Sequence, residues 1–320
     1  MDLIINLNKP PGITSQDAVT KVKKLLKAKK AGHAGTLDPS ATGVLLVCLN
    51  RATRLASYFS SLDKEYRAVI KLGEATDTQD AEGNVIEKCD KIEVTEAEIK
   101  STLSSFTGDI QQEPPMFSAL KHKGKPLYKY ARKGITIARK PREIRIDSID
   151  LHEVNLPYAE FVVRCSKGTY IRTLCNDIGK KLGVCGHLFK LERTAIGPFR
   201  VSDAVDFDGL DNDSGKGACP VGQDALRPNG MYPFRKPGFL PKGMYTMDSA
   251  LSWMPDCAIS ESQGKAVSNG APLSINDCSG LSDNITEGMP IKVKSPDGTL
   301  IAVGSFQPHK KIIKMDVVFG

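Results

Sequence analysis

Gly32-His33-Ala34-Gly35-Thr36-Leu37-Asp38-Pro39-Ser40-Ala41-Thr42-Gly43 runs directly into Val44-Leu45-Leu46-Val47-Cys48-Leu49. The second stretch is an unbroken apolar run of strand length, which predicts a buried strand. The first holds Gly32, Gly35 and Gly43 around one acid and one imidazole. Glycine lets a backbone take positive φ or approach a neighbour closely, and Pro39 biases Asp38 toward an extended conformation. Together these residues predict a stiff loop that ends in a core strand and presents one carboxylate. Rigid support under a loop is how catalytic groups are often held. Taken alone, Asp-Pro among Ser, Thr and Gly is equally the mark of an ordinary turn.

The chain around it has 320 residues, room for one large domain, a smaller one and a substantial core. A hydrophobic content of 40% and a charged content of 25% are those of a soluble globule. No apolar run approaches the roughly 20 residues of a membrane span. The opening Met1-Asp2-Leu3-Ile4-Ile5-Asn6 lacks the pattern of a signal peptide, so a cytoplasmic location is expected. The eight cysteines form no CxxC pair and no metal-ligand spacing, so free, mainly buried thiols and no metal are expected. The formal net charge of +7 is uneven: residues 240–320 carry seven Lys against eight Asp/Glu, so the basic excess lies upstream. That distribution fits a polyanionic partner for the larger part of the chain.

Leu3 to Leu7 reads as an opening strand, stopped by Lys9-Pro10-Pro11-Gly12. Thr14 or Ser15 can cap a following helix, with Ala18, Val19, Val22, Leu25 and Leu26 at core-facing spacing. Between them, Lys21, Lys23, Lys24, Lys27, Lys29 and Lys30 form a basic face that is either simply solvated or bound to phosphate. A helix is expected from Arg51 to Leu62, a strand from Tyr66 to Gly73, hairpin chemistry at Glu82-Gly83-Asn84, and a helix from Thr95 to Phe106 capped by Thr95 with Glu98. From Phe117 to Arg145 there are ten Lys/Arg against the single acid Glu143, interleaved with Phe117, Tyr128 and Tyr130. Cations that pair with phosphate and rings that stack on unpaired bases point there to RNA. Ile144 to Leu151 and Glu160 to Cys165 alternate like paired strands, and a helix should follow Ser166–Arg172 and reach Leu182. Asp206 to Gly243 reads as loop and linker, and short strands at Ile291–Val293, Leu300–Val303 and Ile312–Val318 predict a small β module.

The run from Gly32 to Leu45 resembles the active-site motif of the TruB-type tRNA pseudouridine synthases. The likeness extends to Leu7-Asn8-Lys9-Pro10-Pro11-Gly12, Lys64-Glu65-Tyr66-Arg67, Met116–Lys121, Tyr128–Arg132 and Cys165-Ser166-Lys167-Gly168-Thr169-Tyr170-Ile171-Arg172-Thr173-Leu174. The resemblance implies an α+β fold, a mixed, mostly antiparallel sheet flanked by helices. Residues 1–235 would be the catalytic domain with an RNA-gripping insertion at 117–145, and 236–320 a PUA-like β domain. It further implies Asp38 as the catalytic acid, Arg172 as its paired cation and Tyr66 as the ring that packs on the target base. Tyr170 and Leu191 would complete the pocket, and His33 would take the place the base leaves. Lys9, Lys121, Lys123, Lys129 and Arg132 would hold the substrate. Glu192 stands where the family usually has arginine, which removes one RNA contact.

The implied reaction isomerises uridine 55 in the T-loop of tRNA to pseudouridine, moving the glycosidic bond from N1 to C5 with no net redox change. It calls for no cofactor. An unperturbed aspartate with pKa ~3.9 is ionised at neutral pH, and desolvation in a closed pocket calls for a nearby cation. The base must leave its stack to be reached. Two other readings keep the same scaffold: a tRNA-folding chaperone, or a pseudouridine synthase that depends on a guide RNA. A monomer is expected.

Overall fold

The computed structural model describes residues 2–213, 240–281 and 284–319. The 235/236 boundary, most of the expected linker and Cys219 lie outside the described residues.

The framework is one large twisted sheet. Its strands lie in the order Met244–Thr246, Leu3–Lys9, Thr42–Leu49, Gly186–Ile196, Lys64–Leu72, Tyr158–Cys165, Arg142–Asn155 and Gly108–Gln112. Along this order neighbours run antiparallel, except Thr42–Leu49 against Gly186–Ile196, which run parallel through Glu192↔Thr42 and Arg193↔Gly43. The α+β expectation holds. Two apolar clusters cover the faces of the opening strands. Leu3, Ile5, Leu7, Leu45 and Val47 pack under the first helix, while Ile4, Val44, Leu46 and Cys48 pack toward Phe59 and the C-terminal module. A Val or Leu buried this fully contributes roughly 1.5–3 kcal/mol, so the Val44–Leu49 run anchors the loop before it.

The helix Ser15–Leu25 starts as its sequence dictates. Thr14 and Asp17 form a capping box, Ala18, Val19 and Val22 are buried, and the lysines face solvent. Thr95 and Glu98 form the same box ahead of Glu96–Ser104. The expected helix at 51–62 is present, beginning as a 3-10 turn, Asn50–Leu55, and continuing as the α-helix Ala56–Ser61. Part of the expected linker is also ordered: Phe207–Asp213 is helical, with Leu210 buried and Asp206 Oδ1 accepting from the Gly209 N–H at 2.7 Å.

The C-terminal module is a five-stranded sheet in the order Asp256–Ala258, Pro290–Lys294, Leu300–Gln307, Ile312–Val318 and Leu273–Ser274. It is welded to the large sheet. Leu300, Val303 and Phe319 share the apolar cluster of Val44 and Leu46, and Arg51 and Arg54 donate to the Phe319 and Val318 carbonyls at 2.6 and 2.5 Å. The free-thiol expectation fails here, because Cys257 and Cys278 are joined by a disulfide. Spacing alone had no means of bringing the strand Asp256–Ala258 beside Cys278. Cys48, Cys89, Cys165, Cys175 and Cys185 are free thiols.

Candidate active site

The Asp38 loop is braced from three sides. Below it, the Lys9 ammonium donates to the carbonyls of Pro10, Ile13 and Pro39 at 2.8, 3.0 and 3.1 Å, and the Gly12 N–H reaches Pro39 at 2.9 Å. Beside it, the Ser15 hydroxyl donates to the Leu37 carbonyl at 2.9 Å and accepts from its N–H at 2.8 Å. Behind it stands Arg193, whose Nε donates to Val44 at 2.8 Å and whose Nη atoms donate to Thr36 and Gly35 at 3.4 and 3.1 Å.

Lys9 therefore corrects an expectation. It has 0% exposure, its three donors are spent on carbonyls, and it is a loop brace rather than a substrate contact. Burial pulls its pKa down to about 8, against the attraction of Asp38, which raises it.

Asp38 opens into a cavity of about 540 Å³ walled by Tyr66, Phe117, Tyr128, Arg132, Tyr170, Arg172 and Leu191 among others. Its side chain keeps 38% exposure and meets Arg172 Nε at 3.1 Å through Oδ2 and Arg172 Nη2 at 3.5 Å through Oδ1. The guanidinium is itself clamped. It reaches Asp80 Oδ2 at 3.3 Å, the Thr78 carbonyl at 3.4 Å and the Phe117 carbonyl at 2.7 Å. Desolvation is the largest influence on the Asp38 carboxyl and raises its pKa. Arg172 opposes the rise, Asp80 adds to it, and Lys9 opposes it.

Tyr66 comes off the central strand Lys64–Leu72 and is buried; desolvation raises its phenol pKa, against the pull of the Arg193 charge. Tyr170 precedes the helix Ile171–Lys181, and Gln112 pins its backbone, accepting from its N–H at 2.8 Å and donating to its carbonyl at 3.1 Å. Tyr170 and Arg172 thus reach the cavity from the start of one helix, Leu191 and Arg193 from one strand.

Of the residues expected in the site, Asp38, Tyr66, Tyr170, Arg172, Leu191 and Arg132 line one cavity. His33 does not; it ends the short strand Ala31–His33, half-buried. Desolvation, then Arg193, lowers its pKa from 6.5, leaving a neutral imidazole at pH 7. Lys121, Lys123 and Lys129 also stand off the cavity wall, exposed on the Lys121–Pro126 hairpin and the helix Leu127–Ala131. Glu192 is half-buried beside Leu191. Sequence reasoning missed Asp80, Ser15's grip on the loop, Gln112 and Arg193. Asp80 is buried inside a polar segment, a placement that no pattern in the sequence carries. Among the described residues no cluster of His, Cys, Asp and Glu could hold a metal, and no helix is long and apolar enough to cross a membrane.

The profile of the TruB family pseudouridylate synthase N terminal domain matches residues 23–171, and that of the tRNA pseudouridylate synthase B C-terminal domain matches residues 172–216. A tRNA pseudouridine synthase B from Clostridium kluyveri is 41% identical over 318 residues, covering 99% of this chain and 100% of its own. A protein of the same name from Francisella philomiragia is 52% identical over 208 residues, 65% of this chain and 69% of its own length. Among solved structures, a chain from an H/ACA RNP bound to a substrate RNA containing 2'-deoxyuridine matches with a TM-score of 0.72 at 26% identity. That match covers 99% of this chain and 85% of the other.

Proposed function

This chain belongs to the TruB family of pseudouridylate synthases, and from that membership we propose that its target is uridine 55 in the T-loop of tRNA. The protein is a tRNA pseudouridine synthase, an isomerase. The observation that carries the assignment to this site is the Asp38 carboxylate held on a clamped guanidinium, Nε to Oδ2 at 3.1 Å, in a cavity faced by two tyrosines and a leucine.

The reaction breaks N1–C1′, forms C5–C1′, moves the C5 proton away and returns one to N1. Atoms balance within the nucleotide and water, so a single ionised carboxylate is a sufficient tool. Asp38 can add to the base, attack C1′ or take a C2′ proton, and each step needs it ionised. Arg172 keeps it so against desolvation. The cavity of about 540 Å³ has room for a nucleoside that has turned out of its stack. Tyr66 and Leu191 then bracket the base, Tyr170 closes one wall, and His33, outside the cavity, meets the vacated stack. Arg132, Lys121, Lys123 and Lys129 hold the flanking phosphates from the 117–145 segment, reading backbone and loop shape.

We assign residues 1–235 to the catalytic domain and 236–320 to a PUA-like β domain, in a cytoplasmic monomer that needs no cofactor. The stand-alone reading is favoured over a guide-dependent one by 41% identity across the full length of a tRNA pseudouridine synthase B, against 26% for the H/ACA chain.

The test uses purified full-length protein, an unmodified tRNA transcript and no guide RNA, followed by mapping of the isomerised uridine. Conversion at position 55 alone is expected, lost in Asp38→Asn with tRNA affinity retained. Near-normal single-turnover conversion by Asp38→Asn removes Asp38 from its role, and a wild type that binds tRNA without converting it favours the chaperone reading.

A further inference from the structure

Arg193 is the largest side chain that the fold buries completely, at 1% exposure. Among the described residues it has no carboxylate within ion-pair distance. A buried guanidinium without a counter-ion costs several kcal/mol of desolvation, and an apolar replacement often raises stability. Its position must therefore be read from what its donors hold. Nε goes to Val44, at the root of the strand that follows the catalytic loop, and the Nη atoms go to Gly35 and Thr36 in the loop itself. The Arg193 backbone lies at the same junction, pairing with Gly43 on one side and Tyr66 on the other. No other brace of the loop reaches Tyr66: Lys9 and Ser15 tie the loop to the N-terminal segment alone.

We propose that Arg193 is a positioning residue for the isomerisation, tying the Gly35 and Thr36 carbonyls ahead of Asp38 to the strand Gly186–Ile196, which pairs with the Tyr66 backbone, so that carboxylate and ring keep one fixed separation around the target base. The proposal deepens the synthase reading and rests on it. The charge acts in the same place. Arg193 draws the Tyr66 phenol down against burial and helps keep His33 less protonated. A lysine in its place keeps a charge but lacks the planar fork that spans the Val44, Thr36 and Gly35 carbonyls at once.

The experiment measures single-turnover rate and tRNA affinity for wild type, Arg193→Lys and Arg193→Gln, with amide hydrogen exchange on each free protein. Arg193→Lys should lose about 100-fold in rate, the effect of roughly 1 Å of misplacement, while its Kd stays within about threefold. Exchange at Ala34 and Leu37, bonded to Leu46 and Ser15, should accelerate in Arg193→Lys, with Ile313 in the C-terminal sheet unchanged. Should Arg193→Lys not fold, Arg193→Gln removes the buried charge, keeps fewer donors for the loop carbonyls and should accelerate the same two amides.

A folded Arg193→Lys that turns over within about threefold of wild type overturns the proposal. So does an affinity loss that tracks the rate, which marks an RNA contact. A wild type without synthase activity refutes the functional reading alone, and unchanged protection at Leu37 then overturns the positioning role independently.

Discussion

Gly43 stands at the parallel junction beneath the catalytic loop, with φ at +100°. A Cβ there would lie 2.9 Å from the Arg193 nitrogen and carbonyl carbon, and closer still to its carbonyl oxygen. These are backbone atoms of a paired strand, so neither side can yield by changing a rotamer. Gly43→Ala therefore meets two costs: about 1–3 kcal/mol for a non-glycine residue at positive φ, and about 1–3 kcal/mol for overpacking. The sum, about 2–6 kcal/mol, should lower Tm by roughly 5–20 °C. Gly298 is the control. It has φ at +82°, nothing within 4 Å of its added Cβ, and a place in a C-terminal turn, so Gly298→Ala meets only the first cost. Melts followed by circular dichroism separate the two. Tritium release from C5 of the target uridine, assayed well below both midpoints, should show Gly43→Ala slowed about 100-fold, since an ångström of misplacement suffices, and Gly298→Ala unchanged. If Gly43→Ala melts no lower than Gly298→Ala and reacts at the wild-type rate, the junction does not set the loop and the reasoning is wrong.

Two further outcomes follow from the charges. Asp38 has a raised pKa, chiefly from desolvation, so the single-turnover rate should fall on acidification at pH values above the ordinary 3.8. The stability linkage has the opposite sign: a folded pKa above the unfolded one means a contribution present below 3.8 and lost as pH rises through the folded value. Rate and the Asp38 share of stability thus move in opposite directions, and a rate that stays flat down to pH 3.8 in folded protein rules this out. Lys123→Gln and Lys129→Gln should each reduce the slope of log Kd against log salt by roughly 0.7–0.9, with the rate on saturating tRNA retained; a loss in rate at unchanged slope would move these lysines from phosphate contacts to the chemistry.

The sheet was legible because its strands carry their pattern locally. Val44–Leu49 is continuous and apolar, and Lys64–Leu72 alternates buried and open positions. The capping boxes at Thr14 and Thr95 were legible for the same reason. Asp38, Tyr66, Tyr170 and Arg172 came from motif resemblance, since nothing in their spacing brings residues 38 and 172 together. Parity could have corrected Lys9: it falls on the same face as Leu3, Ile5 and Leu7, which is buried, so its ammonium was always directed inward. Asp80 and Arg193 were opaque because their meaning is tertiary. One is an acid in a polar hairpin and the other an arginine in a strand until the chain places them behind the two residues that face the substrate. The helix Phe207–Asp213 was hidden by the acid-rich composition around Phe207 and Leu210.

The shared guanidinium explains how a half-exposed acid that its cavity desolvates remains useful. If Asp38 had Arg172 to itself in a dry cavity, a two-point ion pair would be its lowest state and substrate would have to compete with it. Asp80 Oδ2 at 3.3 Å and the carbonyls of Thr78 and Phe117 draw the guanidinium the other way. Asp38 is left with one good contact at 3.1 Å, one at the 3.5 Å limit and an open side toward the cavity. Its charge is therefore supported but not consumed, and burial together with Asp80 raises its proton affinity above that of an ordinary surface aspartate. The same tension sets the order of support. Asp80 and two carbonyls fix Arg172, Arg193 fixes the loop carbonyls, and the carboxylate at the meeting point of the two systems keeps an open side toward the cavity.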